Sequence, residues 1–231
     1  MMKSTLASNF VATKEKISLL EQHYHRSSGD VCLIAVSKTR SVEEIRALAA
    51  LGQIHFGENY VQESVDKIAK ITDIPLIWHF IGPIQKNKTK QIAQNFDWVH
   101  SIDRDIIAQR LSDQRANTQP SLNVCLQVNI DNEDTKSGIA ADDVLPLANF
   151  VDQLPNLTLR GLMAIPSATD DQSQQRDTFK NMSRLFDNLK QYHSQVDTLS
   201  MGMSNDFEAA IANGSTMIRI GTALFGPRNY T

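Results

Sequence analysis

The sequence predicts an α/β protein built as a single closed (β/α)8 barrel of the TIM type, and three observations carry that expectation. Eight short apolar runs recur along the 231 residues, seven of them linked by stretches of helical period. The runs are mostly continuous rather than alternating, as strands buried on both faces of a parallel sheet are. Residues that stand out from a core, Lys38, Asn59, Met163, Ser204 and Arg219 with Gly221-Thr222, fall at or near the carboxyl ends of the runs, which in a barrel meet on one face. No Pro- or Gly-rich linker and no low-complexity tract divides the chain. Residues 1–231 therefore read as one domain, with residues 1–28 as an added helix packing on the barrel.

Each element has its own signal. Phe10, Val11, Ile17, Leu19 and Leu20 give the opening helix, which ends near His25 at the turn Ser27-Ser-Gly-Asp30. Val31-Cys-Leu-Ile-Ala-Val36 is the first strand and runs into Ser37 and Lys38. Ser41-Val-Glu-Glu44 has the spacing of a capping box, and a helix stopped by Gly52 follows. Strands are then expected at 54–59, 76–83, 98–102, 122–130, 159–165, 198–204 and 216–221. Helices are expected at 61–71, through Ile92 and Phe96, at 106–117, at 144–154, from the 167–175 segment through Phe179, Met182 and Leu189, and at 207–211. Little chain follows the eighth strand, so the opening helix is expected to cover the barrel wall left bare there.

Composition narrows the function classes. A net charge of −3 offers no basic excess for nucleic acid or an anionic membrane surface. No apolar run approaches membrane-spanning length, so a cytoplasmic protein is expected. Cys32 and Cys125, each inside an apolar strand, read as small buried hydrophobes of a reducing compartment rather than a disulfide or metal pair. His23 and His25 are two apart on a helix and cannot chelate one ion together. No long exposed apolar stripe argues for an obligate partner, and a monomer is expected.

A lysine where a strand meets the rim can lose its charge if partly desolvated, and the neutral amine then attacks carbonyls. Taken alone, the Lys38 stretch fits a solvated strand-end lysine better. The last two strands carry Ser200-Met-Gly-Met-Ser204 and Arg219-Ile-Gly-Thr222, whose small residues and hydroxyls suit an anion at the loops where barrels often hold phosphate. Arg219 lies inside an apolar strand and needs acceptors. An ion pair with Glu58 or Glu208 and a ligand acceptor in the pocket account for it equally well.

The blocks Ala35-Val-Ser-Lys38, Phe56-Gly-Glu-Asn-Tyr60, Trp78-His-Phe-Ile-Gly82, Lys136-Ser-Gly138, Arg160-Gly-Leu-Met163, Ser200-Met-Gly-Met-Ser204, Arg219-Ile-Gly-Thr222 and Phe225-Gly226 together resemble the pyridoxal phosphate homeostasis protein family, the YggS/PROSC-like PLP-binding proteins. The resemblance spans residues 31–230. It implies a barrel like the N-terminal domain of alanine racemase and of fold-type III decarboxylases. It implies that Lys38 holds pyridoxal 5'-phosphate as an aldimine, that Ser204, Gly221 and Thr222 with nearby backbone hold the phosphate, that Arg219 faces the pyridine nitrogen, that Asn59, His79 and Met163 line the ring pocket, and that Ser200 and Met203 are also cofactor-binding. Arg40 and the acidic 131–134 loop lie where family members vary.

The function this implies is intracellular vitamin B6 homeostasis without turnover: the protein keeps the reactive aldehyde covered and releases it to apo-enzymes, by transient contact or by exchange with another amine. An arginine cannot give up its proton, so a pyridine nitrogen facing it stays unprotonated and the ring is a weak electron sink. The alternative is a small amino-acid racemase, which needs an acid/base group on each face of the ring; His79 and the tyrosines are the candidates, although Tyr60 suits a packing role at a helix start better. A sugar-phosphate barrel enzyme is a third reading, which visible absorption distinguishes. Lys86, Lys88 and Lys136 fit solvated loop lysines better than ligand contacts.

Overall fold

In the computed structural model the described residues are 2–131, 133, 137–167, 169 and 171–227; Lys136 falls outside them. Eight parallel strands form one closed barrel in sequence order: β1 (Cys32–Val36), β2 (His55–Glu58), β3 (Ile77–Phe80), β4 (Trp98–Ile102), β5 (Leu122–Val128), β6 (Leu157–Ala164), β7 (Thr198–Ser200) and β8 (Met217–Ile220). The ring closes through β1 on β8, with Cys32 opposite Met217 and Ile34 opposite Arg219. The helices are α1 (Met2–His23), α2 (Val42–Ala49), α3 (Val61–Lys70), α4 (Thr89–Asn95), α5 (Asp105–Gln114), α6 (Val144–Asp152), α7 (Gln172–Tyr192), α8 (Phe207–Ala212) and α9 (Thr222–Phe225).

The apolar residues divide by the pleat. One set, including Phe56, Phe80, Val99, Leu126, Leu162 and Ile218, points outward against the helices. A second and smaller set, drawn from strands alone, fills the inside: Ile34, Trp98, Cys125, Met163 and Met217, with Cys32 and Ile77 against them. Because successive side chains alternate, the inward series run Cys32, Ile34, Val36, Lys38 on β1; Ile77, His79, Ile81 on β3; and Met217, Arg219, Gly221 on β8. The last member of each series emerges at the carboxyl end.

The capping box at α2 is present: Ser41 Oγ accepts from Glu44 N at 3.2 Å, and the Glu44 carboxylate accepts from Ser41 N at 2.8 Å. α1 lies beside α2, α8 and α9, with Phe10, Ile17 and Leu20 buried. The Asn9 amide also donates to Leu224 O at 3.0 Å. Two details differ from expectation. β7 ends at Ser200, because Gly202 has φ +98° and turns the chain against α8, where an added Cβ would come within 2.6 Å of Ala210 Cβ. And β8 passes directly into α9, whose Leu224 is buried.

Candidate functional site

A cavity of about 840 Å³ opens at the carboxyl end of the barrel. Seven residues expected at a site line it: Lys38 from the end of β1, Asn59 after β2, Met203 and Ser204 after β7, and Arg219, Gly221 and Thr222 at the end of β8. They come from β1 and β2 at one end of the chain and β7 and β8 at the other, two pairs that the β1–β8 closure brings together. Ser204 Oγ also accepts from Ala223 N at 3.4 Å, which ties the loop after β7 to the start of α9. Asn59 Oδ1 is buried at this wall and has no hydrogen-bond partner among the described residues. An orphaned buried amide oxygen is costly unless a ligand or water meets it.

His79, Met163 and Ser200, also expected at the site, are not among the residues that line the cavity. Each lies in the fully buried barrel interior. The reason is depth: Ile81 and Ile165, two residues further along β3 and β6, are the ones that reach the cavity wall. A two-residue step along a strand is roughly 6–7 Å. Lys86 and Lys88 also lie away from the cavity, in a short 3-10 turn before α4.

The backbone that presents Lys38 is clamped from behind. Ser37 N donates to Gly57 O at 2.9 Å, and Arg40 N returns to Ser37 O at 3.0 Å. Ser37 Oγ donates to Glu58 Oε1 at 2.7 Å. Lys67 Nζ, reaching up from α3, donates to Ser37 O at 2.7 Å, Glu58 Oε1 at 2.9 Å and Glu63 Oε1 at 2.5 Å. Thr39, next after Lys38, has φ +63°, a left-handed conformation unfavourable for a β-branched residue. Its N–H donates to Glu63 Oε1 at 2.6 Å, so the same carboxylate that pairs with Lys67 holds the strained residue. Glu58 is fully buried, and burial raises its pKa against the opposing charge of Lys67 and the hydrogen bond from Ser37.

Arg219 takes neither expected ion pair. Glu58 pairs with Lys67, and Glu208 pairs with Lys16 at 3.4 Å. Arg219 is 4% exposed; its Nη1 donates to Ser200 Oγ at 2.8 Å and its Nη2 to Ala164 O at 2.9 Å. Burial lowers its pKa to about 10, opposed by Asp206 and Cys125, so it remains a cation at neutral pH. Its hydrogen bonds to Ser200 and Ala164 use uncharged acceptors, and among the described residues no carboxylate forms an ion pair with it.

Sequence reasoning passed over Asp206, Arg40 and the clamp. Asp206 lines the cavity and accepts from Met203 N at 2.5 Å; burial pushes its pKa up. The pair Asn205-Asp206 just before the apolar start of α8 was the available signal. Arg40 also lines the cavity, 5.3 Å above the Phe225 ring centroid and bonded to Gly226 O. For Lys67 the signal was periodicity, because Ser64, Lys67 and Ile71 share the buried face of α3. Tyr60 is 53% exposed, and it does not line the cavity.

The sequence matches the family model described as alanine racemase, N-terminal domain, over residues 9–229. The pyridoxal phosphate homeostasis protein of Pseudomonas aeruginosa is 52% identical over 227 residues, covering 98% of this chain and 97% of that one. The chain belongs to the pyridoxal phosphate homeostasis protein family. The solved structure of PipY from Synechococcus elongatus, with PLP bound, is 34% identical over 96% of this chain and 100% of its own, with a TM-score of 0.84. Alanine racemase of Clostridium difficile, 14% identical, shares the fold at a TM-score of 0.73; this chain spans 60% of it. The pyridoxal phosphate homeostasis fold is thus the closed barrel that the sequence pattern led to, and among the described residues no helix is long and apolar enough to cross a membrane.

Proposed function

We propose that this chain binds pyridoxal 5'-phosphate through Lys38 and serves cofactor homeostasis, storing and releasing the cofactor without turning over a substrate. The observation that carries the reading is one cavity holding an amine at the end of β1 and a cationic, donor-only side chain on β8. When bound, the cofactor supplies an aldehyde that condenses with amines and a dianionic phosphate. The residues present fit it: Lys38 offers the amine, Ser204 and the backbone around Gly221 and Thr222 offer donors to an anion, and the orphaned Asn59 oxygen marks a wall shaped for a polar ligand. Arg219 keeps its proton and can only donate, so it would orient a ring nitrogen without protonating it.

The same inventory supports storage over racemisation. Among the described lining residues there is no histidine or tyrosine to carry a proton on either face of a ring, and His79 is sealed in the barrel interior. Release needs only that another amine, free or on an apo-enzyme, exchange with Lys38. A monomer in the cytoplasm belongs to this reading: both cysteines are free, and the exposed large apolar side chains come from separate elements.

Borohydride reduction of the protein mixed with the cofactor, followed by peptide mapping, tests the assignment. Label on Lys38, lost in Lys38→Ala, supports it; label elsewhere refutes it. Exchange of the α-proton of alanine or serine in deuterated water, abolished by the same substitution, would instead establish the racemase.

A further inference from the structure

Beneath the cavity floor three histidines stand in line, and the binding role leaves them unused. Ser200 Oγ, which accepts from Arg219 Nη1, is 2.9 Å from His100 Nδ1. His100 Nε2 is 2.9 Å from His79 Nδ1, and His79 Nε2 is 2.9 Å from His55 Nδ1. Ser200, His100 and His79 are fully buried, whereas His55, at the amino end of β2, is half-buried. The line therefore crosses the barrel from the cavity towards its opposite mouth.

The direction of every bond in it follows from one end. A guanidinium donates and never accepts, a hydroxyl has one hydrogen, and a neutral imidazole has one. Ser200 Oγ accepts from Arg219, so its own hydrogen is free to go to His100 Nδ1. His100 then carries its proton on Nε2 and donates to His79 Nδ1, and His79 does the same towards His55. The reverse order would have Ser200 accept from both neighbours and leave its hydrogen without an acceptor among the described residues in a fully buried place.

We propose that this line is a one-way hydrogen-bond relay in which Arg219 fixes His100, His79 and His55 as Nε2–H tautomers, and that Ser200, His100 and His79 are positioning residues holding the Arg219 charge at the cavity floor. Three aligned imidazole dipoles present their lone pairs towards the arginine. They support a buried cation without a carboxylate, which would otherwise compete with a ligand for its N–H groups. Neutrality of the imidazoles is secured by their surroundings. Burial, and then the charge of Arg219, pushes His100 down to about 3. Burial, and then His100 and His55, pushes His79 well below the ordinary histidine range. His55 is lowered by burial and opposed by Asp97. The other charged groups close by are Arg160, over the Trp98 ring and paired with Asp197, and Asp206 towards Arg219.

The effect on a ligand rests on the cofactor reading above; the tautomer order does not. Long-range proton–nitrogen correlation spectra of the full-length, histidine-labelled protein without cofactor decide the latter. His79 and His100 as neutral Nε2–H imidazoles between about pH 5 and pH 8 are expected; an Nδ1–H form or averaged tautomers at either overturns the relay. Ser200→Ala should abolish that order at His100, shift the visible absorption of bound pyridoxal 5'-phosphate and weaken its binding about tenfold, as loss of one bond to a charged donor predicts. Ser200→Thr keeps the hydroxyl and should restore all three. If Ser200→Ala lowers only the melting temperature, with tautomers, spectrum and affinity intact, the positioning role is refuted. If the unmodified protein shows the tautomer order but does not take up the cofactor, the relay stands and the cofactor reading falls.

Discussion

Replacing Lys67 by methionine should destabilise the protein by about 3–5 kcal/mol at neutral pH, the range for removing one partner of a buried ion pair. Methionine keeps most of the lysine stem, so the loss is of charge and hydrogen bonds rather than volume. Glu58 is the residue stranded: its side chain is fully buried, its Oε2 has no partner among the described residues, and without Lys67 its Oε1 keeps, among those residues, only the Ser37 hydroxyl at 2.7 Å. Burial raises the Glu58 pKa above its ordinary 4.5, and the charge of Lys67 is the first influence opposing the rise. In the variant the pKa climbs further. A carboxyl whose folded pKa is raised contributes stability that is present below its unfolded pKa and lost as pH rises through the folded one. Wild type and variant therefore diverge as pH rises from the wild-type Glu58 pKa towards the higher one in Lys67→Met. Differential scanning calorimetry should show a melting deficit of about 6–20 °C near neutrality, for a chain of this size, that narrows towards pH 4.5. Adding Glu58→Gln should recover most of it. A deficit under about 3 °C at neutral pH, or one unchanged between about pH 5 and pH 8, refutes the clamp.

Two further substitutions probe the frame of the site. A Cβ on Gly82 would sit 2.4 Å from Asn59 O and 2.8 Å from Asn59 Cα, so Gly82→Ala must part the ends of β2 and β3. It should cost about 1–3 kcal/mol in urea unfolding and weaken cofactor binding by displacing Asn59. Ser41→Ala removes the cap whose oxygen accepts from Glu44 N at 3.2 Å, which should lower the melting temperature by about 2–4 °C, for a loss of about 1 kcal/mol, while leaving borohydride labelling at Lys38 intact.

The barrel was legible because each of its strands announces itself locally. An unbroken run such as Leu33-Ile-Ala-Val36 has no solvent face, and eight such runs separated by helices leave few topologies other than a ring. The cavity end was legible for the same reason: Lys38, Asn59, Ser204 and Arg219 each interrupt or terminate an apolar run, and all four reach the cavity. The Lys67 clamp was half legible. Its helix face could be counted, but its partner Glu58 sits on a strand that alternates outward, and nothing in a single segment says that the two meet.

What the residues alone do not give is depth. Alternation along a strand fixes parity alone, and His79, Met163 and Ser200 lie fully buried in the barrel interior. How far up the inside each lies depends on the tilt and stagger of the whole ring, which no strand carries by itself. His79 and Ile81 have the same parity, and only closure decides which of them meets a ligand and which meets His100. The histidines illustrate the gap. Three of the six in the chain recur in the consecutive strands β2, β3 and β4, at positions 55, 79 and 100. That recurrence is visible in the sequence, but its meaning appears only when ring geometry sets them 2.9 Å apart in a line ending at Arg219 through Ser200. Parity belongs to a segment and depth belongs to the fold, so residues one layer below a cavity share every local signal with those that line it.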